Sequence, residues 1–303
     1  MLKGVAILLI LICHMFGYFG NGIVIFTPLG GIGVSMFVFL SAYGLNESWK
    51  MTQHTGWWRK RFVTVIIPYA IIQLLMFWSH RQFSFLLFVM DVFLVKPKYI
   101  FGWYLNYILL WYLIFYFTMR SKSLKKHKNI VFVIISIVMF FLNSEIRAEQ
   151  SLSFLAGIIY SECEYKPIRK FLYGWEKGII MILIGVSFLA FKQTTLIREA
   201  HYLIFNFVQL MIKLPIGLGL CVLLSTVFVC KRSLGIASLI LNYVKSFFSM
   251  LGKASYEIYL LHGYVLYSMP KSHIGVVAFI FLLFLFTFIL RRLLMLIKKK
   301  CFK

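Results

Sequence analysis

Apolar runs of membrane-crossing length alternate along this chain with short basic stretches, and that alternation constrains the fold more than any other feature. In hydrocarbon no water is present to satisfy backbone N–H and C=O groups, so such runs cross as α-helices, which pair those groups internally. A crossing takes about 20 residues. Candidate spans lie at 4–19, 29–46, 62–78, 101–118, 129–142, 150–161, 176–191, 213–230, 252–268 and 274–296. Segments 83–95 and 201–212 are apolar but interrupted, and are expected to be interfacial or re-entrant. The pattern predicts an all-α fold, a polytopic integral membrane helical bundle of about ten transmembrane helices.

Composition excludes the soluble alternative. The chain is 61% hydrophobic and only 14% charged, where soluble domains average roughly 45–50% apolar and 25% charged residues. One water-soluble core cannot hide that excess. No repeat is visible, and the longest loops, at about 20 residues by the span lengths above, leave no soluble domain over. Residues 1–303 therefore read as a single transmembrane domain.

The net charge is +23, from 32 Lys and Arg against 9 Asp and Glu. Such a balance also marks nucleic-acid binders. Here the bases sit in short runs between apolar segments, where topology determinants stand, and no nucleic acid is expected as a partner. With both termini in the cytoplasm, the cytoplasmic pieces are the N-terminus, 47–61, 119–128, 162–177, 231–253 and 291–303. They hold 24 of the 32 bases, and the outer pieces hold 8. One missed span would invert half the loops and blur this bias. The expected location is the cytoplasmic (inner) membrane, multi-pass, among its lipids. Met1 leads almost directly into the first span with no small-residue cleavage site behind it, so no cleaved signal peptide is expected. Cys13, Cys163, Cys221, Cys230 and Cys301 show no CxxC or metal-ligand spacing. They read as small core residues without a disulfide framework, and no metal is expected.

Ionisable residues at bilayer depth are costly and point to function. Lys3 and Lys253 stand at span ends, where they can snorkel to the interface. His14 cannot: it follows Lys3 by eleven positions, about 16 Å along a helix. An apolar bundle disfavours the charged imidazole, and the neutral ring is the form a general base needs. A histidine hydrogen-bonded between helices would occupy the same place. His262 ends the run SYEIYLLH at 255–262, and reads equally as a packing residue or a substrate-side group.

The second span contains GVSMFVFLSAYGL at 33–45. Gly33 and Gly44 allow close helix approach, while Ser35 and Ser41 can bond a neighbouring helix or a ligand. WWRKRFVTVIIPY follows at 57–69. Trp57 and Trp58 mark the interface, Arg59, Lys60 and Arg61 form a cationic collar, and Pro68 is expected to kink the helix near mid-span. The collar suits topology, and it equally suits a polyphosphate ligand, which guanidinium grips bidentately. No Walker loop, HExxH or GxSxG elbow is present. Energy for any reaction must come from an activated substrate or a gradient.

These segments, in this order, resemble the acyltransferase 3 family of membrane acyltransferases, which acylate sugars, mostly of bacterial surface polysaccharides. The family opens its first span with a basic residue, ten positions and a histidine, and Lys3 through His14 fits. GVSMFVFLSAYGL is similar to its glycine-serine-phenylalanine second span, with Ala42 where a glycine usually stands. RKRFVTVIIPY is similar to its basic collar before a proline, with Thr64 where a second arginine often stands. LGKASYEIYLLH, 251–262, is similar to its ninth-span signature, and GWYLNYILLWYLIFY, 102–116, fits an aromatic fourth span more loosely. The match runs from Lys3 to about Tyr267.

The resemblance implies an O-acyltransferase that carries an acyl group, most simply acetyl, from cytosolic acyl-CoA to a hydroxyl of a cell-envelope glycan. The acceptor would be a polysaccharide or a lipid-linked sugar. It implies His14 as the catalytic base. Lys3, Arg59, Lys60 and Arg61 would hold the donor's phosphates, and Ser41 and His262 would orient the reactants. Two other readings fit the same polar lining: a carrier or flippase for a lipid-linked sugar, and an inactive structural relative.

Overall fold

The apolar segments form helices, packed through small residues and a few buried polar bonds. The computed structural model describes residues 1–20, 24–52, 56–79, 84–93, 101–143, 145–163, 173–229 and 236–301. In chain order the helices are α1 (Leu2–Phe19), α2 (Thr27–Thr52), α3 (Trp57–Arg61), α4 (Ile67–Ser79), α5 (Phe85–Val92), α6 (Gly102–Arg120), α7 (Lys122–Lys126) and α8 (Lys128–Leu142). They continue as α9 (Glu145–Ala148), α10 (Ser153–Cys163), α11 (Trp175–Phe191), α12 (Thr195–Arg198), α13 (Tyr202–Val229), α14 (Ile236–Tyr267) and α15 (His273–Cys301). A 3₁₀ turn, Val24–Phe26, leads into α2, and a π-helical turn, Phe62–Ile66, joins α3 to α4. Among the described residues there is no strand, so the all-α expectation holds.

Among the described residues, helix occupies most of each of the ten apolar segments. Four of the described helices are long and apolar enough to cross a membrane by themselves: Leu2–Phe19, Thr27–Met51, Tyr202–Phe228 and His273–Ile297. The others are limited by length or composition. α8 is apolar but has 15 residues. α6 has 19, and its tyrosines, tryptophans and Asn106 lower its hydropathy. α14 carries Lys245, Lys253 and Glu257. Length and apolarity thus nominate four crossings, and the larger number rests on the alternation of charge.

Segment 201–212 departs from the expected interruption. It is the first part of α13, which continues without a break through Pro215. Its polar residues are buried, Asn206 at 3% and Gln209 at 8% exposure, and the Gln209 side-chain amide donates to Glu145 at 3.4 Å. A cross-helix partner makes a polar residue tolerable where a one-dimensional reading sees a break. Segment 83–95 yields the short α5, whose Phe85, Leu86 and Leu87 are exposed.

α1 packs between α2 and α14; α2 also packs against α10 and α13, α11 against α13, and α14 against α15. Close approach depends on missing side chains. A Cβ at Gly4 would overlap the Phe248 carbonyl oxygen and lie 3.0 Å from the Gly252 nitrogen, so α1 touches the α14 backbone there. At Gly157 of α10 it would stand 2.7 Å from the Ala42 Cβ. A larger residue at position 42 is excluded, and alanine is accommodated because α10 supplies the glycine. Gly33 sits tightly under α1, but Gly44 meets nothing within 4 Å, so the expected close approach fails there.

The α2, α10 and α13 junction holds a buried ion pair that the sequence does not reveal. Lys213 binds Glu149, and the two are 7% and 4% exposed. Gln150 donates to the Gly31 carbonyl at 3.1 Å, and Ser35 and Ser153 share a hydrogen bond at 2.9 Å. Removing one member leaves an uncompensated buried charge, whereas replacing both with apolar residues does not. Lys213→Ala is therefore expected to cost about 3–5 kcal/mol of stability, and Lys213→Met with Glu149→Leu to recover most of it. Chemical denaturation of the purified protein in detergent measures both; equal stability of single and double variants would contradict the pairing.

Candidate active site

Packing of α1 on α14 brings together two histidines separated by most of the sequence. The His14 and His262 rings lie 5.2 Å apart between centroids, tilted by 32°. Phe101, at the head of α6, covers both: its ring is 4.3 Å from His14 and stacks on His262 at 4.6 Å. His262 is wholly buried, while His14 keeps partial exposure. His262 Nδ1 stands 2.6 Å from the Tyr259 carbonyl oxygen. A carbonyl only accepts, so Nδ1 carries the proton and Nε2 keeps the lone pair.

The other end of the Lys3–His14 spacing opens on a cavity of roughly 290 Å³. Three of the four basic residues singled out from the sequence line it: Lys3, Lys60 and Arg61. Ser41 lines it too, with Thr64 and Ser255 adding further hydroxyls. Arg59 is exposed and stands outside these walls. Positions 59 and 61 are about 160° apart around a helix and point to nearly opposite sides, whereas 60 and 61 are about 100° apart.

Arg61 is held between aromatic faces, its guanidinium carbon 5.4 Å from the Trp57 ring and 5.3 Å from that of Tyr112. Such stacking fixes the guanidinium plane while leaving N–H groups at its edge for an anion. The local backbone helps. Pro68 has no N–H for the Thr64 carbonyl and its ring crowds that oxygen, and the turn Phe62–Ile66 just before it is π-helical. This wider turn stands just before Pro68, where the kink is expected. π-Turns recur at functional sites, and this one carries Thr64 and Val65 into the cavity wall beside Lys60 and Arg61. Thr64 donates its hydroxyl to the Lys60 carbonyl at 2.7 Å, tying the collar to the turn.

Tyr259 connects the two ends. It lines the cavity, its hydroxyl donates to the Phe101 carbonyl at 2.9 Å, and its ring is 5.3 Å from that of His262 and 5.0 Å from that of Tyr104. The arrangement offers cations and hydroxyls at one end, imidazole lone pairs at the other, and an aromatic wall between them. An anionic substrate with a long reactive arm suits that distribution.

Sequence reasoning missed Phe101, Tyr259 and a second polar cluster. Asp91 of α5, wholly buried, accepts a hydrogen bond from Tyr69 at 2.8 Å. Gln73 of α4 and Tyr264 of α14 exchange hydrogen bonds at 2.8 and 3.0 Å. Asp91 lies in a segment that reads as merely interrupted, and nothing in its spacing marks it. Among the described residues, no group of three or more His, Cys, Asp or Glu side chains could hold a metal ion.

The potential in this cavity can be measured directly. Ser41→Cys or Ser255→Cys, introduced after the five native cysteines are replaced, should react about tenfold faster with an anionic methanethiosulfonate reagent than with a cationic one. Equal rates would contradict a cationic cavity.

A comparison with curated proteins returns no match, and neither does one with solved structures. The family of the acyltransferase domain, acyltransferase 3, matches residues 1–295 of the 303. The chain therefore belongs to the acyltransferase 3 family and carries the domain of a membrane acyltransferase.

Proposed function

We propose that this protein moves an acyl group, acetyl in the simplest case, from cytosolic acyl-CoA to a hydroxyl of a cell-envelope glycan or a lipid-linked sugar. The observation that carries the reading is a cavity containing Lys3, Lys60 and Arg61, joined through Tyr259 to the His14–His262 pair. In this reading about ten helices cross the cytoplasmic membrane with both termini in the cytosol. The bias of 24 bases to 8 supports that orientation.

The donor's phosphates sit at Lys60 and Arg61, with Lys3 adding charge. Its flexible arm runs along α1, past Tyr104 and Tyr259, toward His14. The Lys3–His14 separation of about 16 Å suits such an arm. His14 takes the proton of the acceptor hydroxyl as that oxygen attacks the thioester carbonyl carbon. The tetrahedral intermediate expels the CoA thiolate, and the His14 imidazolium returns the proton to sulfur. An ester and free CoA leave, and the histidine is regenerated. His262, its tautomer set by the Tyr259 carbonyl, orients His14 or the acceptor; Ser41 orients the donor from the cavity wall. Phe101 screens both rings from water.

Positioning supplies much of the acceleration, and proton abstraction about 10²–10⁴-fold. Transfer of labelled acetyl from CoA to envelope material, in vesicles carrying the protein, tests the reading. His14→Ala is expected to lower transfer by about 10²-fold or more. Arg61→Gln should mainly raise the KM for the donor, by about tenfold, since it removes binding shared by ground and transition states. Equal transfer by His14→Ala and the parent protein removes His14 from the chemistry. Cargo that crosses the membrane without gaining an ester favours the carrier.

A further inference from the structure

A second basic basin, of about 590 Å³, shares no lining residue with the cavity beneath the histidines. It is assembled where α2, α6 and α10 end and where α7 and α8 begin. An aromatic partition separates the two: Trp49, on the basin side, is 6.1 Å from Tyr116, which is 5.3 Å from Trp57, itself 6.3 Å from Tyr112 on the cavity side.

Five cations line the basin, Lys50, Arg120, Lys122, Lys125 and Lys128. Two are matched by carboxylates: Lys50 bonds Glu47 at 2.7 Å, and Lys128 bonds Glu162 at 2.9 Å. Among the described residues Arg120, Lys122 and Lys125 have no carboxylate within ion-pair distance. Arg120 is positioned by aromatic contact, donating to the Tyr116 hydroxyl at 2.5 Å with its guanidinium carbon 5.8 Å from that ring. Beneath the cations lies a hydrogen-bonded floor. Asn46, wholly buried, donates to Ser161 at 2.9 Å and to Glu162 at 2.7 Å. Donation to a carboxylate fixes the amide orientation, and Oδ1 of Asn46 has no hydrogen-bond partner among the described residues.

Topology alone requires bases on the cytoplasmic side and nothing more. It does not require them to converge from four helices on one recess, nor that recess to have a buried polar floor. Three unmatched charges in one basin favour a multivalent anion, and ammonium and guanidinium groups in convergence suit phosphate oxygens. We infer that this basin binds a phosphate-bearing polar head, at a site separate from the one proposed for the acyl donor. The same chemistry is available from an anionic phospholipid of the cytoplasmic leaflet and from a soluble phosphate compound.

Two arms distinguish those sources, and neither reads acyl transfer, so failure here would leave the proposed reaction standing. In the first, the full chain is placed in nanodiscs of phosphatidylcholine with one fifth phosphatidylglycerol, and retained lipid is counted by native mass spectrometry. In the second, binding of labelled inorganic pyrophosphate is measured in phosphatidylcholine nanodiscs. Lys122→Gln with Lys125→Gln is the test variant; both side chains are exposed and no packing is lost. The site predicts preferential retention of phosphatidylglycerol, saturable pyrophosphate binding, or both, weakened about tenfold or more in the double variant. Pyrophosphate is also expected in the donor cavity, so the second arm is read on a Lys60→Gln background, which weakens that site; Lys271→Gln, which lines neither cavity, should leave either signal unchanged. Lipid retention alone identifies the membrane as the source, and pyrophosphate binding alone a soluble one. No binding in either arm, or binding that the double variant leaves intact, overturns the inference.

Discussion

The contact of α1 with the backbone of α14 is the constraint on which the site depends. Because Gly4 has no side chain, the two helices meet at van der Waals distance near Phe248 and Gly252. From that point they run together. Lys3 therefore faces the collar from α3, and His14, three turns on, reaches His262. A larger residue at position 4 would push the helices apart at one end and alter both ends of the site. The spacing of Lys3 and His14 has meaning only on a helix held this way, since it sets how far the cations lie from the imidazoles.

Buried polar pairs hold the rest in register. An apolar bundle has many near-equivalent packings, because one greasy surface fits another almost as well. Lys213 with Glu149, Ser35 with Ser153, Tyr69 with Asp91, and Gln73 with Tyr264 each have one satisfactory arrangement. Left unpaired in hydrocarbon, any of these groups carries a desolvation cost. Tyr69 ties α4 to α5 and Gln73 ties α4 to α14, so the helix after the cationic collar is fixed on both sides. Arg61, stacked between Trp57 and Tyr112, inherits that rigidity.

Much of this was legible in the chain, for identifiable reasons. Apolar runs and basic punctuation report on solvent, and the helices fall where those runs lie. The Lys3–His14 spacing and the collar are local patterns, and local patterns survive in one dimension. The pairing of His14 with His262 could be named only as two separate candidates, because no periodicity encodes which helices touch. Lys213 stands at the edge of a candidate span, and nothing in its spacing names Glu149 as its partner. Asp91 gave no signal, since its partner, Tyr69, lies on another helix. Arg59 looked equivalent to its neighbours until the turn of the helix separated it from the cavity.

In the proposed reaction a donor held at Lys60 and Arg61 reaches His14 by way of Tyr259, which lines the cavity and lies against His262. A structure of the full chain in lipid nanodiscs with a non-transferable thioether analogue of acetyl-CoA tests that most directly. The account predicts phosphates against Lys60 and Arg61 and the sulfur within about 4 Å of the His14 ring, close enough for proton exchange through at most one water. An analogue bound with its arm directed away from the space between α1 and α14, or with its phosphates outside the cavity, would contradict it.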